Sequence, residues 1–154
     1  MSKLFVDEIQ PKTTDGIVSI PPQVAFNAHR NSGGDTAYNN TIVFNSTTVN
    51  IGNGFNTNTG KFTAPVSGTY FFNTTCLTTS NSTSNDLQIR VDDTNIAQGR
   101  ADVASSAHNS VSVTVIATLT ENQVVSVYNA GGDGFYGSTG NYNTFCGYLI
   151  GATV

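Results

Sequence analysis

At 154 residues and 38% hydrophobic, the chain has the material for one compact domain with a sizeable core. Only 10% of it is charged, and six Lys and Arg against ten Asp and Glu leave a net charge of -4, which offers a phosphate backbone no electrostatic footprint and argues against nucleic acid as a partner. No apolar run approaches the roughly 20 residues of a membrane-spanning helix, so no membrane insertion is expected.

Residues 1–22 read as an extended N-terminal arm ahead of a domain over residues 23–154. Two short apolar runs, Lys3 to Gln10 and Gly16 to Ile20, are joined through Pro11 to Asp15; Asp15-Gly16 signals a turn and Pro21-Pro22 a stiff joint. Leu4, Phe5, Val6, Ile9, Ile17, Val18 and Ile20 carry more apolar surface than solvent contact justifies, so the arm is expected to anchor on another surface. Met1 to Gln10 lacks the basic segment, apolar stretch and cleavage site of a secretion signal, which implies synthesis in a cytosol.

The domain's first strand is expected to open at Val24. In Gly68 to Leu77, Tyr70, Phe72, Thr74 and Cys76 alternate with Phe71, Asn73 and Thr75, and the first set is expected in the core. The same period of two recurs in Leu87-Ile89-Val91, Val111-Val113-Val115 and Val125-Val127, each bounded by Asn, Asp, Gly or Ser. No segment has the apolar spacing of an amphipathic helix, so the expectation is an all-β sandwich with essentially no α-helix.

Asp92, Asp93 and Asn95 set oxygen ligands close together, but the spacing is not that of an EF-hand. A solvated turn is expected there ahead of calcium, and no metal or cofactor is assigned. Gly131-Gly132-Asp133-Gly134 lacks the following Lys-Ser or Lys-Thr of a phosphate loop and reads as a flexible apical loop. The stretch Asn129 to Asn143 either displays Phe135, Tyr136 and Tyr142 to carbohydrate or protein or caps the sandwich with them. The last strand is apolar on both faces: Phe145, Gly147 and Leu149 alternate with Cys146, Tyr148 and Ile150. Only one set can point inward, so the other needs a partner. His29 and His108 have no local Ser, Cys or carboxylate pattern, which argues against catalysis, and Cys76 and Cys146 are expected as buried free thiols.

Phe44, Asn50, Phe55, Phe62, Gly68, Tyr70 and Phe72 fall in the order F-x5-N-x4-F-x6-F-x5-G-x-Y-x-F. This pattern resembles the signature of the globular-head domain of complement C1q, a relative of the tumour necrosis factor fold. Ala25 to Arg30 looks like that family's first strand, Gly60 to Tyr70 its central hairpin with Gly68 at the turn, and Phe145 to Leu149 its closing strand. Thr74 departs from the pattern, standing where the family usually has another aromatic. The resemblance implies a ten-stranded jelly roll assembled as a homotrimer, with Tyr148, Ile150, Ala25 and Asn27 at or near the three-fold interface.

The arm, Lys3-Leu4-Phe5-Val6-Asp7-Glu8-Ile9-Gln10-Pro11-Lys12-Thr13, is similar to a short N-terminal segment of bacteriophage structural and fibre proteins. That similarity implies a virion location after synthesis in a bacterial cytoplasm. The expected role is a non-enzymatic trimer, a capsid decoration or short-fibre knob held to other capsid or tail proteins by its arm. The alternative is an adhesin gripping a host glycan or protein.

Overall fold

A computed structural model describes residues 23–79, 84–102, 108–132, 134–137 and 140–153; the anchoring arm of residues 1–22 lies outside the described residues. Eleven strands and no helix occur among the described residues: β1 (Ala25–His29), β2 (Asn40–Thr41), β3 (Ser46–Ile51), β4 (Phe55–Asn56), β5 (Lys61–Thr63), β6 (Gly68–Leu77), β7 (Ser84–Val91), β8 (Thr94–Asp102), β9 (Ser110–Leu119), β10 (Val124–Gly131) and β11 (Thr144–Ala152).

They form two antiparallel sheets, a five-stranded one in the order β3-β1-β11-β6-β9 and a six-stranded one in the order β4-β5-β10-β7-β8, with β2 also paired to β10. β5 lies against Val124 and Val125, and β2 against Tyr128 and Asn129, on the side of β10 away from β7. Two short strands thus run along one flank of β10, so a ten-stranded expectation becomes eleven observed elements.

The alternation read from the sequence sets the core. Tyr70, Phe72, Thr74 and Cys76 are fully buried, as are Leu87, Ile89, Val125 and Val127. Phe26 stacks between Phe55 at 4.8 Å and Phe62 at 5.0 Å, with Phe145 edge-on at 4.9 Å. Rings from both sheets therefore interlock across the sandwich, each stabilising it by about 1.5–3 kcal/mol through burial. Thr74 occupies its core position by donating its hydroxyl to the Thr144 carbonyl at 2.9 Å, which removes the cost of burying a polar group.

The signature's polar residues have structural duties. Asn50 Nδ2 donates to the Phe55 carbonyl at 2.9 Å, and the Phe55 N–H donates to Asn50 Oδ1 at 3.1 Å, so one amide side chain ties the rim of the five-stranded sheet to that of the six-stranded one. Gly68 is not a turn residue as expected. It begins β6, where a Cβ would meet the Gly151 carbonyl oxygen at 2.6 Å and Leu149 Cδ1 at 2.7 Å, so close approach of β11 excludes a side chain. The expected hairpin is also corrected: β5 and β6 lie in different sheets, and Pro65-Val66-Ser67 is a corner. Tyr70 closes that corner by donating its hydroxyl to the Val66 carbonyl at 2.7 Å.

Candidate functional site

The outward face of the five-stranded sheet is unlike an ordinary solvated sheet face. Register places Ile51, Ala25, Tyr148, Phe71 and Ile116 side by side on β3, β1, β11, β6 and β9. They make one apolar row across all five strands. Tyr148 and Phe71 stack at 5.1 Å, Ile116 is 63% exposed, and Ile150, beyond Tyr148 on β11, is also exposed. The next row is mixed, with Val49, Asn27, Cys146, Asn73 and Thr114; the one after it is polar, with Ser46, His29, Thr144, Thr75 and Ser112. Asn73 and Thr75 are held flat by their cross-strand partners, Asn73 Nδ2 donating to Thr114 Oγ1 at 2.8 Å and the Thr75 and Ser112 hydroxyls lying 2.7 Å apart.

Of the residues expected at an interface, Tyr148 and Ala25 lie in the apolar row, Ile150 adjoins it, and Asn27 sits one row away, opposite Cys146. Sequence reasoning missed Phe71, Ile116, Ile51 and Val49. Phe71 alternates visibly with Tyr70 and Phe72, and Ile116 follows the inward-facing Val111, Val113 and Val115, so period two alone carried that signal.

At the end of the sandwich carrying the loop before β2 and the loop before β11, the expected ligand contacts separate. Phe135 is 0% exposed and bridges Thr36 on one side and Thr78 on the other, so it is a core residue and not a ligand contact; the glycine-rich approach lets the backbone fold the ring inward. Gly132 and Gly134 have φ of 83° and 152°, which a side chain would strain, and the described part of this loop is packed. Tyr136 is half-buried beside His108, with ring centres 5.0 Å apart, while Tyr142 is exposed.

His108 Nδ1 lies 2.6 Å from the Thr78 carbonyl oxygen, which fixes that nitrogen as the protonated one. His29 sits half-buried on β1 between Ser46 and Thr144, and among the described residues no nucleophile is hydrogen-bonded to it. Cys76 is buried and free, its thiol pushed up to about 12 by burial. Cys146 is only half-buried, against expectation, because it faces outward on β11; partial desolvation still raises its pKa. Asp92 and Asp93 form the two-residue turn between β7 and β8, both at positive φ, as a type I′ hairpin requires. The Asp92 carboxylate accepts from the Val124 N–H at 2.9 Å and Gln123 Nε2 at 3.0 Å, bonds that hold it below the usual carboxylate range. Among the described residues no group of three or more His, Cys, Asp or Glu is placed to hold a metal ion.

Compared with known families, the chain matches the C1q domain over residues 25–150, nearly all of the sandwich. The chain belongs to the C1q family. The C1q signature read from Phe44 to Phe72 accordingly marks core rings, the Asn50 tie and the Gly68 contact. Complement C1q tumor necrosis factor-related protein 3 of human is 47% identical over 62 residues, 34% of this chain and 22% of the relative; its mouse counterpart is 45% identical over 62 residues. This C1q chain thus spans about a fifth of the length of those curated relatives. The fold also matches the globular domain of zebrafish complement 1qA, with a TM-score of 0.72 and 21% identity over 84% of this chain and 99% of that one. Eiger TNF from S. frugiperda superposes with a TM-score of 0.73 and 12% identity, over 86% of this chain and 96% of that one. These likenesses correct one expectation: the curated relatives are human and mouse proteins named for complement C1q and tumour necrosis factor, not virion proteins, and the virion location does not stand.

Proposed function

We propose that this C1q domain is a non-enzymatic interaction module that works as a homotrimer, sealed over the outward face of its five-stranded sheet. The observation that carries the reading is the apolar row Ile51, Ala25, Tyr148, Phe71 and Ile116, which a lone chain leaves in water. Stoichiometry comes from the family resemblance, and closed symmetry suits a face that must cover itself. Ile150 and Val49 extend the seam, while the polar rows toward Thr75 and Ser112 form its hydrated end. A structural and ligand-presenting role fits the arrangement of the histidines and the protonated Cys76, none of which is poised as a base or nucleophile. In this reading the arm of residues 1–22, apolar in sequence, tethers the trimer to a larger assembly, and outward residues such as Tyr142 meet a protein or glycan ligand.

Sedimentation equilibrium at micromolar concentration tests the assembly. The expected mass is three times the 16.2 kDa chain. Tyr148→Glu combined with Ile116→Glu places charge in the seam and is expected to release folded single chains. A well-folded monomer of the unaltered protein at that concentration defeats the reading.

A further inference from the structure

The outward face of the six-stranded sheet is polar, and one part of it is organised beyond what solvation requires. Register sets Gln88 between Tyr128 and Gln98, and Arg90 between Ser126 and Asn95. The Arg90 guanidinium sits over the face of the Tyr128 ring, its Cζ 3.4 Å from the ring centre. Its Nε donates to Gln88 Oε1 at 2.8 Å, and Gln88 in turn donates through Nε2 to Gln98 Oε1 at 2.7 Å, an oxygen that also accepts from Asn95 Nδ2 at 3.2 Å. A ring beneath and an amide at Nε fix the plane and rotation of the guanidinium, so the entropy of ordering a long arginine is already lost before any ligand arrives.

Arg90 differs from the other two arginines. Arg30 is buried and donates to Thr36 Oγ1 and the Gly34 carbonyl. Arg100 is forked on Asp86, its Nε and Nη2 donating at 2.6 and 2.8 Å. Among the described residues no carboxylate stands within ion-pair distance of Arg90, and its terminal nitrogens have no acceptor. The fork edge of a fixed guanidinium matches the two oxygens of a carboxylate. Beside it, the Tyr128 hydroxyl and Asn95 Oδ1, neither engaged by another described residue, suit the hydroxyls of a sugar. We infer that this cluster is a binding site for an acidic saccharide, the sugar carboxylate seated on the Arg90 fork and its hydroxyls on Tyr128 and Asn95. The site lies on the sheet opposite the proposed trimer seam, so it stands or falls independently of the assembly.

The test titrates the full chain with a galacturonate oligosaccharide, its methyl ester and polyglutamate, followed by calorimetry and amide chemical shifts. Expected are binding of the free acid with shifts at Arg90, Gln98 and Tyr128, and a loss of about tenfold or more on esterification or in Arg90→Gln. Arg90→Lys is expected to recover little of the affinity because an ammonium has no fork, and circular dichroism checks that both variants fold. Equal affinity for acid and ester, no binding, or unchanged binding by Arg90→Gln overturns the site. Polyglutamate binding as tightly as the saccharide overturns the sugar assignment in favour of an acidic peptide.

Discussion

Gly147→Ala adds one methyl group at the centre of the sandwich, and its cost can be worked from the surrounding rings. A Cβ at Gly147 would lie 2.5 Å from Phe72 Cδ1 and 2.8 Å from Phe26 Cε1, closer than real contacts allow. Neither ring can swing aside, since Phe26 is stacked between Phe55 and Phe62, and Phe72 against Tyr70 with ring centres 6.0 Å apart. Forcing a methyl into such packing costs about 1–3 kcal/mol, and for a domain of this size about 2 kcal/mol lowers the Tm by about 4–8 °C. Gly34→Ala is the control: a Cβ there meets nothing within 4 Å, and the residue is exposed. Thermal melting by circular dichroism at one fixed protein concentration makes the comparison. Gly147→Ala melting within about 1 °C of Gly34→Ala would show that the ring cluster yields, and the steric reasoning would fail.

Three further outcomes follow from particular contacts. Asn50→Ala strips both bonds from the Phe55 backbone and is expected to cost about 1–3 kcal/mol in urea titrations, with faster amide exchange at Phe55; unchanged exchange there would refute the tie between the sheet rims. Cys76, protonated and buried, should resist a thiol reagent at pH 8, so the native protein should release at most one equivalent, assigned by Cys146→Ser, and the unfolded protein both. Asp86, held below its ordinary range chiefly by its bond from Arg100, stabilises the fold above the pKa it has when unfolded, and that contribution is lost as pH falls through the lower folded value. Urea midpoints of the unaltered chain and Asp86→Asn should therefore converge on acidification, and parallel curves would contradict the linkage.

Much of the fold could be read from the sequence because period two and ring spacing are local signals. Leu87 and Val113 declare their inward face by alternation with polar neighbours, Tyr70 and Phe72 by the period of two that continues to Thr74 and Cys76, and β11 shows a second apolar face by carrying large side chains at both phases of that period. What escaped depends on residues far apart in sequence. Gly68 suggests a turn because nothing local reveals that β11 returns over it, and the sequence leaves Phe135 open between display and capping because only the bridges to Thr36 and Thr78 bury it. The apolar row needed the register of five strands before Phe71 and Ile116 could be seen beside Tyr148. Arg90 and Tyr128 carry no motif, since their stacking is set by the pairing of β7 with β10.

β1 and β11 are antiparallel neighbours inside one sheet, with Ala25 facing Tyr148, so the polypeptide enters and leaves at a single pole. A pull applied between those two ends would load the ladder one rung after another, as a zipper opens, and not all rungs at once as in shear. Stretched in line between β1 and β11, the domain would therefore yield at a lower force than a sandwich whose first and last strands must slide past one another.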